Sequence, residues 1–228
     1  MKLKDIYFIL IILVSISLFF IFSDVIAAYN YVNINHGIIM SFIKFGILAT
    51  LGEIIALRIK EGVYFKEGFG IMPKMLVWGL LGIFIKFSFV VFAKGTPLFL
   101  EYIGVSEASI FATMGISVKS IFVSFSISVA LNCIFAPIMM TIHKITDLHI
   151  HDNNGSLLSF IRPINVGSLL KRIDWDIMWG FVFRKTIPIF WIPAHTITFL
   201  LAPNYQILFA ALLSIALGII LSFANLKK

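Results

Sequence analysis

The stretch GIIMSFIKFGILATLGEIIAL, at residues 37–57, is almost entirely apolar and decides the class of fold. The hydrocarbon core of a bilayer is about 30 Å thick, so a helix rising 1.5 Å per residue needs roughly 20 apolar residues to cross it. The stretch is long enough, and its apolar residues do not alternate with polar ones as in a half-buried strand. It therefore predicts a transmembrane α-helix.

Five other stretches have a similar character, and together they predict an all-α polytopic membrane helix bundle. The six predicted spans are Ile6–Phe22, Gly37–Leu57, Met75–Ala93, Ser120–Ile142, Thr186–Leu201 and Tyr205–Phe223. The fifth is the shortest, and it contains Pro188 and Pro193, which are expected to bend or break the helix. The Ala-Pro-Asn at 202–204 is expected to form a tight turn between the fifth and sixth spans.

The composition agrees with a chain that lies in the membrane. Of its 228 residues, 60% are hydrophobic and only 13% are charged, and the mean hydropathy is +1.03. Soluble domains have about 25% charged residues, so this chain has too few charges to cover a soluble surface. Six spans with short loops use a chain of this length, which predicts one membrane domain. Residues 1–36 would be an extra N-terminal span and outer loop, and 37–228 the main bundle.

The positions of the basic residues predict the orientation. A net charge of +7 does not indicate nucleic-acid binding here, because the basic residues lie at the ends of apolar runs, where they face the cytoplasm and its anionic lipids. With the N-terminus in the cytoplasm, inner segments contain 14 of the 18 Lys and Arg residues, and outer segments contain only Lys94 and Lys119. Both termini are therefore expected in the cytoplasm. The expected location is a bacterial inner membrane, with an organellar membrane as the less favoured alternative.

The remaining segments are predicted to lie at the membrane surfaces. The first span follows Lys2 and Lys4 like a signal peptide, but its apolar run exceeds the usual 7–15 residues, so retention is favoured over cleavage. Residues 94–119 are expected along the outer interface. The inner loop, 143–185, should contain a turn at 153–156 and an interfacial helix, 168–183, capped by Ser168.

Ionisable side chains inside the predicted spans are the main functional candidates, because each costs roughly 2.5–3.5 kcal/mol on insertion scales. They are Lys44, Glu53, Lys86 and His195, with Asn132 as a polar companion. Lys44 lies on the opposite side of its helix from Glu53, and it is expected to extend toward the outer interface.

Glu53 and Lys86 are predicted to form a buried ion pair between the second and third spans. Each lies on a helix face with small residues, which allow close helix contact. Counting 1.5 Å per residue leaves a backbone gap of about 10 Å, which the two side chains can nearly close. The pair either locks the helices together or belongs to a solute path, and the sequence leaves both interpretations open.

Other chemistry has little support. His143, Asp147, His149, His151 and Asp152 lie within ten residues, and His143 and Asp147 have one-turn helical spacing that zinc ligands can use. A solvated loop is the favoured interpretation, with no metal and no cofactor. Cys133 is the single cysteine, which excludes an intrachain disulfide. No catalytic motif is present, so an enzyme is not expected, and a lipid-modifying enzyme using the loop histidines is the least favoured alternative.

The stretch Trp-Ile-Pro-Ala-His-Thr-Ile-Thr-Phe-Leu-Leu-Ala-Pro, residues 191–203, resembles a known C-terminal signature. The signature belongs to the family of the twenty-two-kilodalton peroxisomal membrane protein and its mitochondrial inner-membrane relatives. Trp191, Phe199 and Pro203 match the family pattern in register. His195 lies where the family has Gln, and Thr198 where it has Asn.

Other positions agree in part with the same family. Gly52-Glu53 resembles its Gly-Asp, and the Leu-Ser-Phe at 221–223 resembles its closing Leu-Ser-aromatic. The first proline is shifted by one place, to Pro193, and Gln206 lies where the family has Arg. The chain thus resembles a divergent bacterial member. Some members are regarded as non-selective or weakly selective channels for small solutes, and the resemblance implies the same class here.

The expected function is accordingly a channel or transporter-like protein for small solutes. The alternative is a membrane scaffold or assembly factor that transports nothing. The residues expected to line or gate a solute path are Glu53, Lys86, His195 and Thr198. The residues expected to serve packing or chain direction are Gly52, Gly79, Gly82, Trp191, Pro193, Phe199 and Pro203. The expected partners are the lipid bilayer and small solutes, and assembly into a homo-oligomer is left open.

Overall fold

A computed structural model describes residues 3–226, and within this range all regular structure is helical, as predicted. The α-helices are α1 (Leu3–Ile21), α2 (Ser23–Asn35), α3 (Gly37–Glu61), α4 (Ile71–Tyr102), α5 (Ala108–Phe111), α6 (Val118–Ala130), α7 (Ala136–Asp152), α8 (Val166–Arg172), α9 (Trp175–Ile177), α10 (Ile192–Leu200) and α11 (Pro203–Leu226). A π-helical turn, Leu131–Phe135, joins α6 to α7. A longer π-helical segment, Met178–Trp191, joins α9 to α10.

Four helices in the described part of the chain are long and apolar enough to cross a membrane. They are Gly37–Glu61, Ile71–Tyr102, Val118–Asp152 and Pro203–Ile220. A fifth is added if α1 and α2, which are bent by 83° at their break, count as one span. The predicted fifth span lies in the helical run 175–200, which is not among these, so the number of six crossings stays a prediction.

The chain divides into two compact units, the first ending at Met40 and the second beginning at Ser41. In the first unit, the ring of Phe19 on α1 meets Tyr29 on α2 edge-on at 5.6 Å. The second unit contains most of α3 and every later helix. All residues of the candidate site described below belong to the second unit.

Large apolar side chains cover the outside of the long helices. On α4, for example, Phe84 is 59% exposed and Phe87 is 66% exposed, and Ile47 on α3 is 51% exposed. A soluble monomer rarely exposes an apolar surface of this extent. The helices therefore fit a multi-pass membrane protein whose outer surface contacts lipid.

Glycines allow α3 to approach two neighbours closely. A side chain at Gly46 would lie 2.9 Å from the carbonyl oxygen of Met75 on α4, and one at Gly82 would lie 2.6 Å from that of Ser41. On the other side, a side chain at Gly52 would lie 3.0 Å from Cα of Ile215 on α11. Small residues thus hold α3 between α4 and α11, as membrane helices often require.

Three segment boundaries differ from the prediction. The third span continues as helix to Tyr102, and the fourth continues to Asp152, so 143–152 is helical rather than a loop. Falling hydropathy marks the end of the apolar run, not the end of the helix. The interfacial helix is interrupted after Arg172, and Asn165 rather than Ser168 caps α8 by accepting the Ser168 N–H at 3.1 Å.

Two predicted turns are present, whereas the predicted break at Pro188 is not. The turn at 153–156 is confirmed, with positive φ at Asn154 and Gly155. Helix α10 ends at Leu200 and α11 begins at Pro203, so the predicted break is present, but the turn lies at 201–202, and Pro203 and Asn204 already belong to the first turn of α11. Pro188 does not end its helix, because it lies inside the π-helical segment, where the altered hydrogen-bonding pattern accommodates it.

Candidate functional site

Three helices meet at the carboxylate of Glu53 on α3. Its Oε2 accepts from Nζ of Lys74 on α4 at 2.6 Å, and its Oε1 accepts from Nε1 of Trp78 at 2.6 Å. Nε2 of His143 on α7 lies 3.2 Å from Oε1. Lys74 also bonds to Asp147 on α7, and we call these five residues the Glu53 network.

The local helix geometry explains why these residues meet. Lys74 and Trp78 are four residues apart on α4, and His143 and Asp147 are four apart on α7, so each pair projects from one helix face. The rings of Trp78 and His143 lie 4.3 Å apart, centre to centre. The side chain of Glu53 is 22% exposed and that of Lys74 only 9%, so two opposite charges are largely removed from solvent together.

The predicted Glu53–Lys86 pair is wrong. Helix α4 begins at Ile71, four residues before the predicted start, and this places Lys74 beside Glu53. Lys86 is 12 residues farther along α4, about 18 Å away along the axis. The predicted orientation of Lys44 is also wrong, because its side chain is buried, at 5% exposure, instead of extending to the outer interface.

A second polar cluster lies about 16 Å from His143 along the long helix Val118–Asp152. Nδ1 of His195 on α10 lies 3.0 Å from Nδ2 and 3.2 Å from Oδ1 of Asn132, which is fully buried in the π-helical turn. Asn132 also donates to the Ser128 carbonyl at 2.8 Å. The His195 ring stacks on Trp191 at 5.1 Å and meets the edge of Phe89 at 5.6 Å. We call Asn132 and His195 the His195 pair.

Buried serines continue this polar line toward the start of α6. Ser120, Ser124 and Ser128 are each at most 2% exposed and are spaced four residues apart, in register with Asn132. Ser128 donates to the Ile192 carbonyl at 2.7 Å, which joins α6 to α10. Their small side chains allow α6 to pack closely along α10. These serines are not among the residues predicted from the sequence, although their four-residue period is visible in it.

A cavity of about 440 Å³, which we call the chamber, connects the two clusters. Glu53, Trp78, His143 and Asp147 line one end, and Asn132 and His195 line the other. Asn132 and His143 are 11 positions apart in the chain, which corresponds to about 16 Å along the helix axis. The chamber is therefore elongated parallel to the helices, between α3, α4, α7, α10 and α11.

A second cavity of about 360 Å³ lies beside the loop 62–70. We call it the loop-side cavity. Glu53, Ala56, Lys60 and Asp147 line both cavities. Lys74, the central cation of the Glu53 network, lines only the loop-side cavity. The Glu53 network therefore forms part of the wall between the two cavities.

The remaining predicted path residues lie outside the chamber. Thr198 is fully buried and donates to the Ala194 carbonyl of its own helix at 2.9 Å. Lys86 is half-buried on α4 and is not part of the chamber wall. Of the four predicted path residues, the structure thus brings Glu53 and His195 to one cavity.

The residues predicted for packing divide by exposure. Gly52, Gly79, Gly82, Trp191 and Phe199 are buried, whereas Pro193 and Pro203 are exposed near the first turns of α10 and α11. The two prolines therefore direct the chain rather than fill the core. Trp191 is 8% exposed, and its Nε1 has no hydrogen-bond partner in the described part of the chain.

The histidines of α7 do not assemble into a metal site. His143 bonds to Glu53, and His149 Nε2 lies 2.9 Å from the Ser159 carbonyl oxygen. Across residues 3–226, no group of three His, Cys, Asp or Glu side chains is placed to hold a metal ion. These side chains belong to hydrogen-bond networks on a helix instead of a solvated loop.

No protein-family model, curated protein or solved structure matches the chain.

Proposed function

We propose that this chain conducts small solutes across a membrane, as a channel or transporter rather than an enzyme. The observation that supports this most directly is the chamber, which extends from the charged Glu53 network to the neutral His195 pair inside the helix bundle. Polar groups at membrane depth are costly, and they commonly mark solute pathways. The π-helical segment Met178–Trp191 ends one turn before His195, and π-helical turns are frequent at functional sites.

The proposal includes six crossings with both termini in the cytoplasm of a bacterial cell. The additional crossings would be the bent α1–α2 pair and the helical run 178–200. The distribution of Lys and Arg supports this arrangement. Membership in the family of the twenty-two-kilodalton peroxisomal membrane protein is proposed on the same footing, from the match at Trp191, Phe199 and Pro203.

Flux from reconstituted liposomes tests the proposed conduction. The protein should increase glycerol permeation above that of empty vesicles, measured by stopped-flow light scattering. Met139 lines the chamber, so Met139→Trp should fill it and reduce the flux several-fold. Its neighbour Ile138 is 58% exposed on the outer surface, which makes Ile138→Trp a matched control. Equal flux with and without protein contradicts conduction of this solute class.

Cysteine labelling tests the proposed topology. Lys60, Lys94, Lys119 and Lys171 are exposed, and each can be replaced by cysteine in a Cys133→Ser background. An impermeant maleimide added to intact cells should label positions 94 and 119, whereas 60 and 171 should react only after lysis. Opposite sides for positions 60 and 171 would contradict the six-crossing arrangement.

One observation favours the scaffold alternative. Every carboxylate oxygen of Glu53 already has a protein partner, as expected of a group that locks helices together. Under this alternative, Met139→Trp and Ile138→Trp should behave alike, and no solute should cross. The liposome experiment therefore separates the two functions.

A further inference from the structure

We infer that the chamber admits neutral solutes and excludes ions, and that His195 is the residue that recognises them. This inference rests on the proposed function and names the class of solute. It follows from the distribution of charge along the chamber wall, and from one nitrogen atom at its neutral end.

All formal charges of the chamber wall lie at one end. Two carboxylates, Glu53 and Asp147, and two ammonium groups, Lys60 and Lys144, belong to the last third of α3 and to α7. Their formal charges balance. Asp147 is 3.9 Å from Lys144 and Glu53 is bonded to Lys74, so each carboxylate at this end is already paired with an ammonium group.

The other end of the chamber has no formal charge along its wall. Apolar side chains surround it, including Phe45, Ile85, Phe89, Leu131 and Phe135. An ion that enters exchanges its hydration shell for hydrocarbon, and no fixed charge compensates for the loss. A neutral solute loses only hydrogen bonds, which a few polar groups can restore. The neutral end therefore acts as a barrier to ions but not to uncharged molecules.

His195 provides a fixed polar group at this end. Asn132 bonds to Nδ1, while Trp191 and Phe89 contact the ring on its face and edge. The ring is thus held in one orientation. Its Nε2 has no hydrogen-bond partner within residues 3–226, so it can bond to a solute hydroxyl in the chamber. A held ring with one unused nitrogen is the arrangement that recognises a small polar molecule at low entropic cost.

Parallel flux measurements in liposomes test this inference. Glycerol is the neutral probe, and potassium and chloride are the ionic probes. We expect glycerol flux well above that of empty vesicles, with potassium and chloride flux at the background level. His195→Leu should reduce glycerol flux at least tenfold, and His195→Gln, which retains a hydrogen-bonding group, should restore part of it. Thr196→Val, at the adjacent half-buried position outside the chamber wall, should leave it unchanged.

The outcomes separate the inference from the proposed function. Glycerol flux without ion flux, dependent on His195, supports both. Comparable glycerol and potassium flux overturns the selection of neutral solutes but leaves conduction standing. Glycerol flux that His195→Leu does not change overturns the role of His195. If His195→Leu does not yield a monodisperse protein, His195→Gln alone should give glycerol flux between the background and the wild-type level, with wild-type flux in Thr196→Val as its control. Wild-type flux in His195→Gln then overturns the role of His195. No flux of any probe overturns conduction, and the inference with it.

Discussion

The Glu53 network and the His195 pair both line the chamber, but their buried polar groups are stabilised in different ways. At Glu53, polar side chains from three helices, including the Lys74 ammonium group, meet within 2.6–3.2 Å, and each carboxylate oxygen has a partner. At His195, neutral groups meet, and one ring nitrogen stays without a protein partner. The first arrangement fixes the helices relative to one another. The second leaves Nε2 of His195 able to form a hydrogen bond with a solute.

This difference gives separate roles to Glu53 and His195, which the sequence predicts together as residues of a solute path. Breaking a buried ion pair is strongly destabilising, because it leaves an uncompensated charge. Neutral hydrogen bonds contribute less, about 1 kcal/mol each. The Glu53 network should therefore govern stability, and the His195 pair should govern what the chamber accepts.

The largest expected effect follows from replacing Glu53. Glu53→Leu removes one of the two anions bonded to Lys74 and leaves Trp78 Nε1 without its acceptor, so the free energy of unfolding should fall by about 3 kcal/mol. Unfolding in mixed micelles with increasing SDS measures this. The same replacement at exposed Glu67, in Glu67→Leu, is the control. A loss below about 1 kcal/mol would remove the distinction between the two clusters.

A smaller loss is expected for Asn132. Asn132→Ala removes the bonds to Ser128 and His195 from a fully buried site, which should cost about 2 kcal/mol. The same SDS titration measures it. Ser126→Ala on α6, which loses only a bond to its own helix, should change stability by less than about 0.5 kcal/mol. If Asn132→Ala matches Glu53→Leu in magnitude, the neutral cluster is as important for folding as the charged one.

The double variant Glu53→Leu/Asn132→Ala tests whether the clusters are independent. About 16 Å of helix separates Asn132 from His143, so the two losses should add to within about 0.5 kcal/mol. Deviation by more than about 1 kcal/mol indicates coupling through the chamber wall. In that case the two clusters form one structural unit.

The smallest effects are expected at Lys86 and Thr198, which lie outside both clusters. Lys86→Met and Thr198→Val should each change the unfolding free energy by less than about 1 kcal/mol. Neither should alter glycerol flux, because neither residue lines the chamber. Reduced flux in either variant, at unchanged stability, places the solute path elsewhere in the bundle.

The sequence predicts the helical class and the polar residues far better than it predicts their partners. Glu53 and His195 were identifiable because charge and imidazole are costly within apolar runs. Lys74 was assigned to a loop, because hydropathy places the start of the span at Met75 although the helix starts at Ile71. A boundary error of one turn was enough to select Lys86 as the partner of Glu53.

A similar error explains why part of the network was missed. His143 and Asp147 lie beyond the apolar part of the long helix, so hydropathy assigned them to a loop, yet α7 continues to Asp152. Their four-residue spacing, and that of Lys74 and Trp78, were the available signals. The chamber could not be predicted, because it depends on how five helices pack and not on the sequence of any one.

The π-helical turn at Leu131–Phe135 changes which side of the long helix faces the bundle before and after it. A π turn contains one residue more than an α turn, so it acts as a one-residue insertion that rotates everything after it by about 100°. Because of this rotation, the direction of the buried serines before the turn does not fix the direction of the His143–Asp147 face after it. Shortening the turn by one residue would return the helix to regular winding and swing one of these two faces toward lipid.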